Sequence, residues 1–262
     1  NPGREYIVFI NKAQPFTMRL GGLKEPLQAE WYHPWTGKRI ADRRVESGTH
    51  EFTPPASFGD APAVLHVAAP TPWMSLFNGK DLSHWTVKAK PEDKAKDFWK
   101  VDDGTILADS LGAKGHDYVW LYSDKEYADF QFRCRFQIYR NTPGNTGIQI
   151  RSQRVPDHYE VSGYQADMGQ QYWGCLYDES RRNKVLACPE SARIAEVVRA
   201  GQWNDYIIRC EGRRIQLWIT GFQTVDYTEP DESIPQSGII GLQIHGGPPS
   251  EAWYRNIRIQ EL

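Results

Sequence analysis

The 262-residue chain has no apolar run near the roughly 20 residues that a membrane-spanning helix needs, so no such helix is expected. Net charge is almost absent. Lys and Arg total 31 against 33 Asp and Glu, leaving −2 at pH 7 and a pI near 6.4. That balance favours neither nucleic acid nor an anionic membrane as a partner. Cysteine is scarce, and none of Cys134, Cys175, Cys188 and Cys210 forms a Cys-x-x-Cys pair, so a structural zinc site is not expected. There is no Asp-rich calcium loop, no His-x-x-x-His spacing, no Gly-x-Ser-x-Gly elbow, no internal repeat and no low-complexity segment. Also missing is the strand motif Glu-x-Asp-x-x-Glu of retaining endoglucanases on a jelly roll. Glycoside cleavage here would therefore not use the ordinary two-carboxylate arrangement. No signal peptide is visible, and the chain starts at Asn1 without Met. We read it as a mature or excised segment, which leaves export open.

Aromatic residues are plentiful: 10 Trp, 13 Tyr and 10 Phe make up 13% of the chain, beside 22 Gly and 17 Pro. Such a composition points to short aromatic-rich strands between turns rather than to helices. Hydrophobic residues at 40% and charged residues at 24% are an ordinary globular balance. A break falls at 69–73, where Pro70 and Pro72 deny ladder donors and favour extended linker geometry. Residues 1–69 read as a small β-sandwich with strands at 6–10, 16–20, 29–32, 39–40 and 63–67; it has few apolar residues and is expected to lean on a neighbour. Residues 70–262 remain β throughout. FQFRCRFQIY alternates with period two, and TGIQIRSQ, YEVSGYQAD, DYIIRCEG, RIQLWITG, SGIIGLQIH and AWYRNIRIQEL follow between Gly, Pro, Asn and Asp. Only 192–199 suggests a helix, with a helical turn at 91–96. Without a βαβ rhythm, the expected class is all-β, an antiparallel sandwich.

Cys134 lies on the apolar side of FQFRCRFQIY and reads as a buried core residue. Cys175 and Cys188 bracket LYDESRRNKVLA. A disulfide there, which would suit an oxidising compartment, and two half-buried thiols both remain open.

Alternation locates a candidate site. In 147–151, Gln149 and Arg151 are expected on one side; in 164–167, Gln165 and Asp167; in 241–245, Gln243 and His245. Three strands thus each display two polar side chains on one face. Such groups beside Trp and Tyr suit a sugar, whose C–H face packs on aromatic rings and whose hydroxyls bind planar amides and carboxylates. A polar sheet face merely covered by loops would show the same pattern. The loop GQQYWGCLYDESRRNKVL adds Trp173, Tyr177, Asp178, Glu179, Arg181 and Arg182. Asp178 and Glu179 could supply a general acid or base, ligate a hard divalent cation, or salt-bridge to Arg181 and Arg182. The sequence specifies no cofactor. The aromatic platform is expected around Trp173, Tyr177 and Trp218.

From Trp73 to Leu262 the chain resembles the 3-keto-disaccharide hydrolase family, formerly a domain of unknown function with a concanavalin A-like jelly-roll fold. WMSLFNGKDLSHW, FWKVDDGTI, YADFQFRCRFQI, GNTGIQIRS, GYQAD, WGCLYDE, WNDYIIRCEGRRIQLWITG, GIIGLQIHGG and YRNIRI carry the likeness in the family's order. The resemblance implies a bacterial, exported protein acting on an oligosaccharide or polysaccharide. Some members cleave 3-keto-glucosides: the ketone acidifies the C2 proton, a base triggers loss of the C1 substituent, and water adds back. Asn145, Arg151, Gln165, Asp167, Gln243 and His245 match the family's polar strand motifs. On that chemistry Asp167 or His245 is the expected base, Arg151 the group polarising the ketone and Glu179 the acid, with Asn145, Gln149, Gln165, Trp173, Tyr177, Trp218 and Gln243 holding substrate. The chain departs from many relatives in having Tyr164, where they carry Glu, before the Gln of GYQAD.

Residues 1–69 resemble the small "putative collagen-binding" β-domain that follows apiosidase-like barrel glycoside hydrolases, through REYIVFI and AEWYHPWTGKRI. That likeness implies an upstream catalytic domain in a larger enzyme. Two functions follow as expectations: a glycoside hydrolase or lyase, or a non-catalytic carbohydrate-binding module pair.

Overall fold

The computed structural model describes residues 5–36, 38–113, 115–138 and 144–262. Arg4 in REYIVFI, Gly37 in AEWYHPWTGKRI and Tyr139 at the end of FQFRCRFQIY lie outside the described residues. Two compact units divide between Pro72 and Trp73.

The first unit holds β1 (Glu5–Ile10), β2 (Phe16–Leu20), β3 (Leu27–Tyr32), β4 (Arg39–Val45), β5 (Gly48–Phe52) and β6 (Ala63–Ala68). They pair as a four-stranded sheet, β1-β6-β3-β4, and a two-stranded sheet, β2-β5. On β3 and β6 every second residue is buried, so Leu27, Ala29 and Trp31 meet Ala63, Leu65 and Val67 in a small core.

Among its described residues the second unit holds fifteen strands. The first five are β7 (Met74–Ser75), β8 (Trp85–Lys88), β9 (Trp99–Asp102), β10 (Thr105–Asp109) and β11 (Val119–Tyr127). Then come β12 (Phe130–Ile138), β13 (Thr146–Arg154), β14 (Val161–Met168), β15 (Leu176–Glu179) and β16 (Lys184–Ala187). The last five are β17 (Asn204–Glu211), β18 (Arg214–Ile219), β19 (Phe222–Thr228), β20 (Gly238–Ile244) and β21 (Glu251–Glu261). Two short helices, α1 (Pro91–Lys94) and α2 (Ser191–Val197), fall where helical turns were expected.

The strands form an eight-stranded sheet, β19-β18-β17-β12-β21-β10-β9 with β7 beside β21, and a seven-stranded sheet, β16-β15-β14-β13-β20-β11-β8. Every pairing is antiparallel, so the chain is an all-β sandwich. β12 sends Phe130, Phe132, Cys134, Phe136 and Ile138 inward, toward Ile148, Ile150, Tyr164, Leu242 and Ile244 of the other sheet. Each fully buried Phe or Ile contributes about 1.5–3 kcal/mol. β20 differs, being buried along its whole length. A strand flanked by strands and covered on both faces implies a second covered layer, and that layer contains the candidate site.

Candidate functional site

The outer face of the seven-stranded sheet is not a solvent surface. Gln149, Gln165, Asp167 and Gln243 face away from the apolar core, yet each is at most 3% exposed. The reason is a second small apolar cluster on the same face: Trp120, Tyr122, Val161 and Ile239, with Tyr118 against them. Tyr118 stacks on Trp120 at 5.8 Å, and Trp120 meets Tyr122 at 6.3 Å. The connection between β13 and β14 folds over this wall. Tyr122 donates its hydroxyl to the carbonyl of Tyr159 at 3.1 Å, and the Tyr159 hydroxyl donates to Asp117 at 3.0 Å.

A continuous hydrogen-bonded chain crosses the recess. Ser152 donates to Gln149 Oε1 at 2.6 Å, and Gln149 Nε2 donates to Gln165 Oε1 at 2.5 Å. Gln165 Nε2 in turn donates to Asp167 at 2.5 Å and approaches Gln243 Oε1 at 3.4 Å. Gly147 makes this possible. It lies between Asp167 and β20, and a Cβ there would come within 2.4 Å of the Gln165 side chain that crosses it. Three buried polar atoms beside this chain have no protein partner among the described residues: Gln243 Nε2, Trp120 Nε1 and Asn145 Oδ1. Unpaired buried polar atoms are costly, and together these two donors and one acceptor suit a polar ligand.

The titratable groups are displaced from their usual ranges. Burial drives the Asp167 carboxyl well above its normal value despite the Gln165 amide, with Glu179 adding repulsion. Burial and the charge of Glu160 raise Glu179 to about 7. His245 is shifted the other way by burial, opposed by its bond to Gly246. Its Nδ1 lies 2.7 Å from the Gly246 carbonyl, which fixes the proton on Nδ1 and leaves Nε2 as an acceptor, 3.4 Å from the Tyr118 hydroxyl that donates to it. Extending the pairing of Ile148 with Leu242 by three residues each way sets Asn145 beside His245.

The structure therefore brings Gln149, Gln165, Asp167, Gln243, His245, Tyr177 and Asn145 to one face; Tyr177 pairs with Gln165 across β14 and β15. Glu179 lies at the end of that face, opposite Gly163.

Three expected members are elsewhere. Arg151 does not share the Gln149 face. It takes φ of 49°, and the register of β13 shifts there against both neighbours. This bulge puts Ser152 on the Gln149 side and turns Arg151 toward the end of the sandwich. There its guanidinium donates to the carbonyls of Ala128 and Gly212 at 2.7 and 2.5 Å and to Asp129 at 2.7 Å. Trp173 packs on Phe136 at the edge of the core, ring centres 6.3 Å apart. Trp218 belongs to β18 of the other sheet, opposite Ile207.

Asp178 and Glu179 separate because neighbouring strand residues point to opposite sides. Asp178 is fully buried and bonded by Arg181 and Arg182, while Glu179 turns to the site face. Tyr164 points with Asp178 and donates its hydroxyl to Glu229 at 2.6 Å, so it serves this ion network. Among the described residues, no group of three or more His, Cys, Asp or Glu side chains is arranged to hold a metal ion. Cys175 and Cys188 form a disulfide across the β15–β16 hairpin. The aromatic wall itself was missed, although Tyr118, Trp120 and Tyr122 alternate with period two in the sequence.

Solved structures share this fold. A "putative glycosyl hydrolase" from Parabacteroides distasonis is 19% identical with a TM-score of 0.52, over 72% of this chain and 94% of that one. Carbohydrate-binding module CBM66 from Bacillus subtilis is 15% identical with a TM-score of 0.52, over 72% and 100%. A Bacillus subtilis protein of unknown function with a galectin-like fold is 10% identical with a TM-score of 0.53, over 74% and 96%. Among curated proteins no match was found. Residues 3–66 match the profile described as "Putative collagen-binding domain of a collagenase". Residues 72–260, most of the chain, match another profile, and the chain belongs to its family, that of the 3-keto-alpha-glucoside-1,2-lyase-like domain.

Proposed function

We propose that the second unit cleaves a 3-keto-glucoside by elimination in the recess on the seven-stranded sheet. The observation that carries this reading is the pair of buried donors without a partner among the described residues, Gln243 Nε2 and Trp120 Nε1, beside a neutral His245 whose Nε2 is an acceptor held only by a long contact with the Tyr118 hydroxyl. The family's named chemistry, lyase action on a 3-keto-glucoside, supports the substrate class.

In this mechanism His245 Nε2 removes the proton from C2, and the electron pair moves toward the C3 ketone as an enolate. The two N–H donors stabilise the developing oxyanion, a contribution worth about 10²–10³ in rate for one such donor. The enolate then re-forms the ketone and expels the C1 oxygen, which takes its proton from Glu179. A carboxyl that titrates at about 7 is half-protonated at neutral pH and suits that role. Asp167, kept protonated by burial, orients the amides and donates a hydrogen bond to the sugar. Water adds to the resulting enone to complete hydrolysis. The Cys175–Cys188 disulfide supports an exported protein, since such bonds persist in oxidising compartments.

The test is incubation of the full chain with plain and 3-keto disaccharides, with and without chelator, following sugar release. Turnover of the keto substrate alone is the expected result. Glycan binding without turnover of either substrate would replace this reading with that of a binding module.

A further inference from the structure

Four arginines form a block on the outer face of the eight-stranded sheet. On β12, Arg133 pairs in register with Arg258 of β21, and Arg135 with Arg255. Like charges directly opposite on strands about 4.8 Å apart repel one another. The block depends on a bulge. Positions 255 and 258 are three apart and would face opposite sides of a regular strand. The register of β21 shifts between them, with Asn256 at φ 54°, so both arginines turn outward while Tyr254 and Ile257 stay in the core.

Little negative charge answers this block. Arg135 lies 3.4 Å from Asp205, while Arg133, Arg255 and Arg258 have no carboxylate partner among the described residues. Arg133 instead stacks on Trp73, 4.8 Å from the ring centre, and Arg255 on Trp203 at 4.0 Å. The Nε atom of Arg255 is buried without a hydrogen-bond partner among the described residues. Stacking holds a guanidinium plane still and leaves its donor edge available for an oxyanion. Trp218 completes the row through Ile207 to Arg133 and Arg258.

We propose that this face is a second glycan-binding surface, one that takes an acidic polysaccharide bearing carboxylate or sulfate groups. Indole rings beside forked cations match sugar rings that carry such groups. A nucleic-acid duplex would call for a longer basic stripe than four arginines on a chain of net charge −2. The surface is separate from the recess, and its function does not depend on the reaction assigned there.

The full chain is titrated by calorimetry with polygalacturonate, dextran sulfate, neutral dextran, polyglutamate and duplex DNA. Both acidic polysaccharides should bind, with affinity falling as salt rises, and dextran should not. The double variant Arg133→Gln/Arg258→Gln, and separately Arg255→Gln, should weaken binding at least about tenfold while leaving 3-keto-disaccharide turnover and circular dichroism unchanged. Undiminished binding in the folded variants overturns the proposal, as does failure of both acidic polysaccharides to bind. Polyglutamate or DNA binding as tightly as the polysaccharides overturns the assignment to glycan. Loss of turnover in the arginine variants contradicts the separation of the two surfaces.

Discussion

The side-chain amide of Gln165 donates to Asp167 Oδ1 at 2.5 Å from two residues back along β14. That bond partly offsets the burial of a carboxyl group that has no cation against it among the described residues, and burial still wins. The result is a side chain held in place by an amide and kept as a proton donor.

Asp167→Asn should preserve the network and replace the acidic donor by an amide N–H, so turnover of a 3-keto-glucoside should drop by no more than about tenfold. The fold should respond in the opposite sense. A carboxyl whose pKa in the folded state lies above its ordinary 3.8 is stabilising below that value and loses the contribution as pH rises through the raised one. The melting temperature of Asp167→Asn should therefore gain on the wild type with increasing pH. A constant difference between about pH 5 and about pH 9 would reject a buried, raised carboxyl.

The pH profile of kcat/KM should be bell-shaped. His245, lowered from 6.5 by burial, must be neutral to accept a proton, so activity rises as pH climbs through its depressed value. Glu179 must be protonated, so activity falls above about 7. Glu179→Gln should lose that alkaline fall and slow the reaction at least about 10²-fold, and His245→Ala should slow it comparably. An alkaline limb that survives in Glu179→Gln would mean another group supplies the leaving-group proton.

Arg151→Met should act on stability. Its side chain is 1% exposed, and it joins Asp129 to two loop carbonyls. Removing this buried guanidinium, which serves two carbonyls and a part-exposed carboxylate, costs about 1–3 kcal/mol, visible as a lower urea midpoint. The variant, where folded, should turn over substrate at near the wild-type rate. A normal midpoint with a large loss of kcat would restore Arg151 to the chemistry.

Reducing the Cys175–Cys188 disulfide should loosen the hairpin that carries Glu179. The cysteines are 13 residues apart, and closing a loop of that size stabilises by about 3 kcal/mol. Cys175→Ser/Cys188→Ser should melt earlier by the amount dithiothreitol takes from the wild type. Equal melting with and without reductant would show that the bridge contributes nothing.

Much of the site is legible in the sequence because strand geometry is local. Gln165 with Asp167, and Gln243 with His245, share faces as period two requires, and their apolar neighbours Ala166 and Ile244 lie in the core. Arg151 escapes this logic because a bulge moves it half a period, and nothing in Ile-Arg-Ser-Gln marks a residue that will adopt positive φ. Trp218 escapes it differently: its alternation within β18 is regular, and only the sheet to which β18 belongs was out of reach. Trp120 was within reach, since the run from Tyr118 to Tyr122 carries the signal in its own spacing.

By itself the sequence determined that this chain is all-β, that its strands present opposite faces to core and site, and that amides and carboxylates gather on one class of face. These follow from backbone geometry over a few residues. Only the tertiary structure decided which strands share a sheet, where a bulge shifts the alternation, and that Trp120 rather than Trp218 walls the recess. Those depend on hydrogen-bond register between segments far apart in the chain and on which apolar faces meet in the core. No local spacing contains that information.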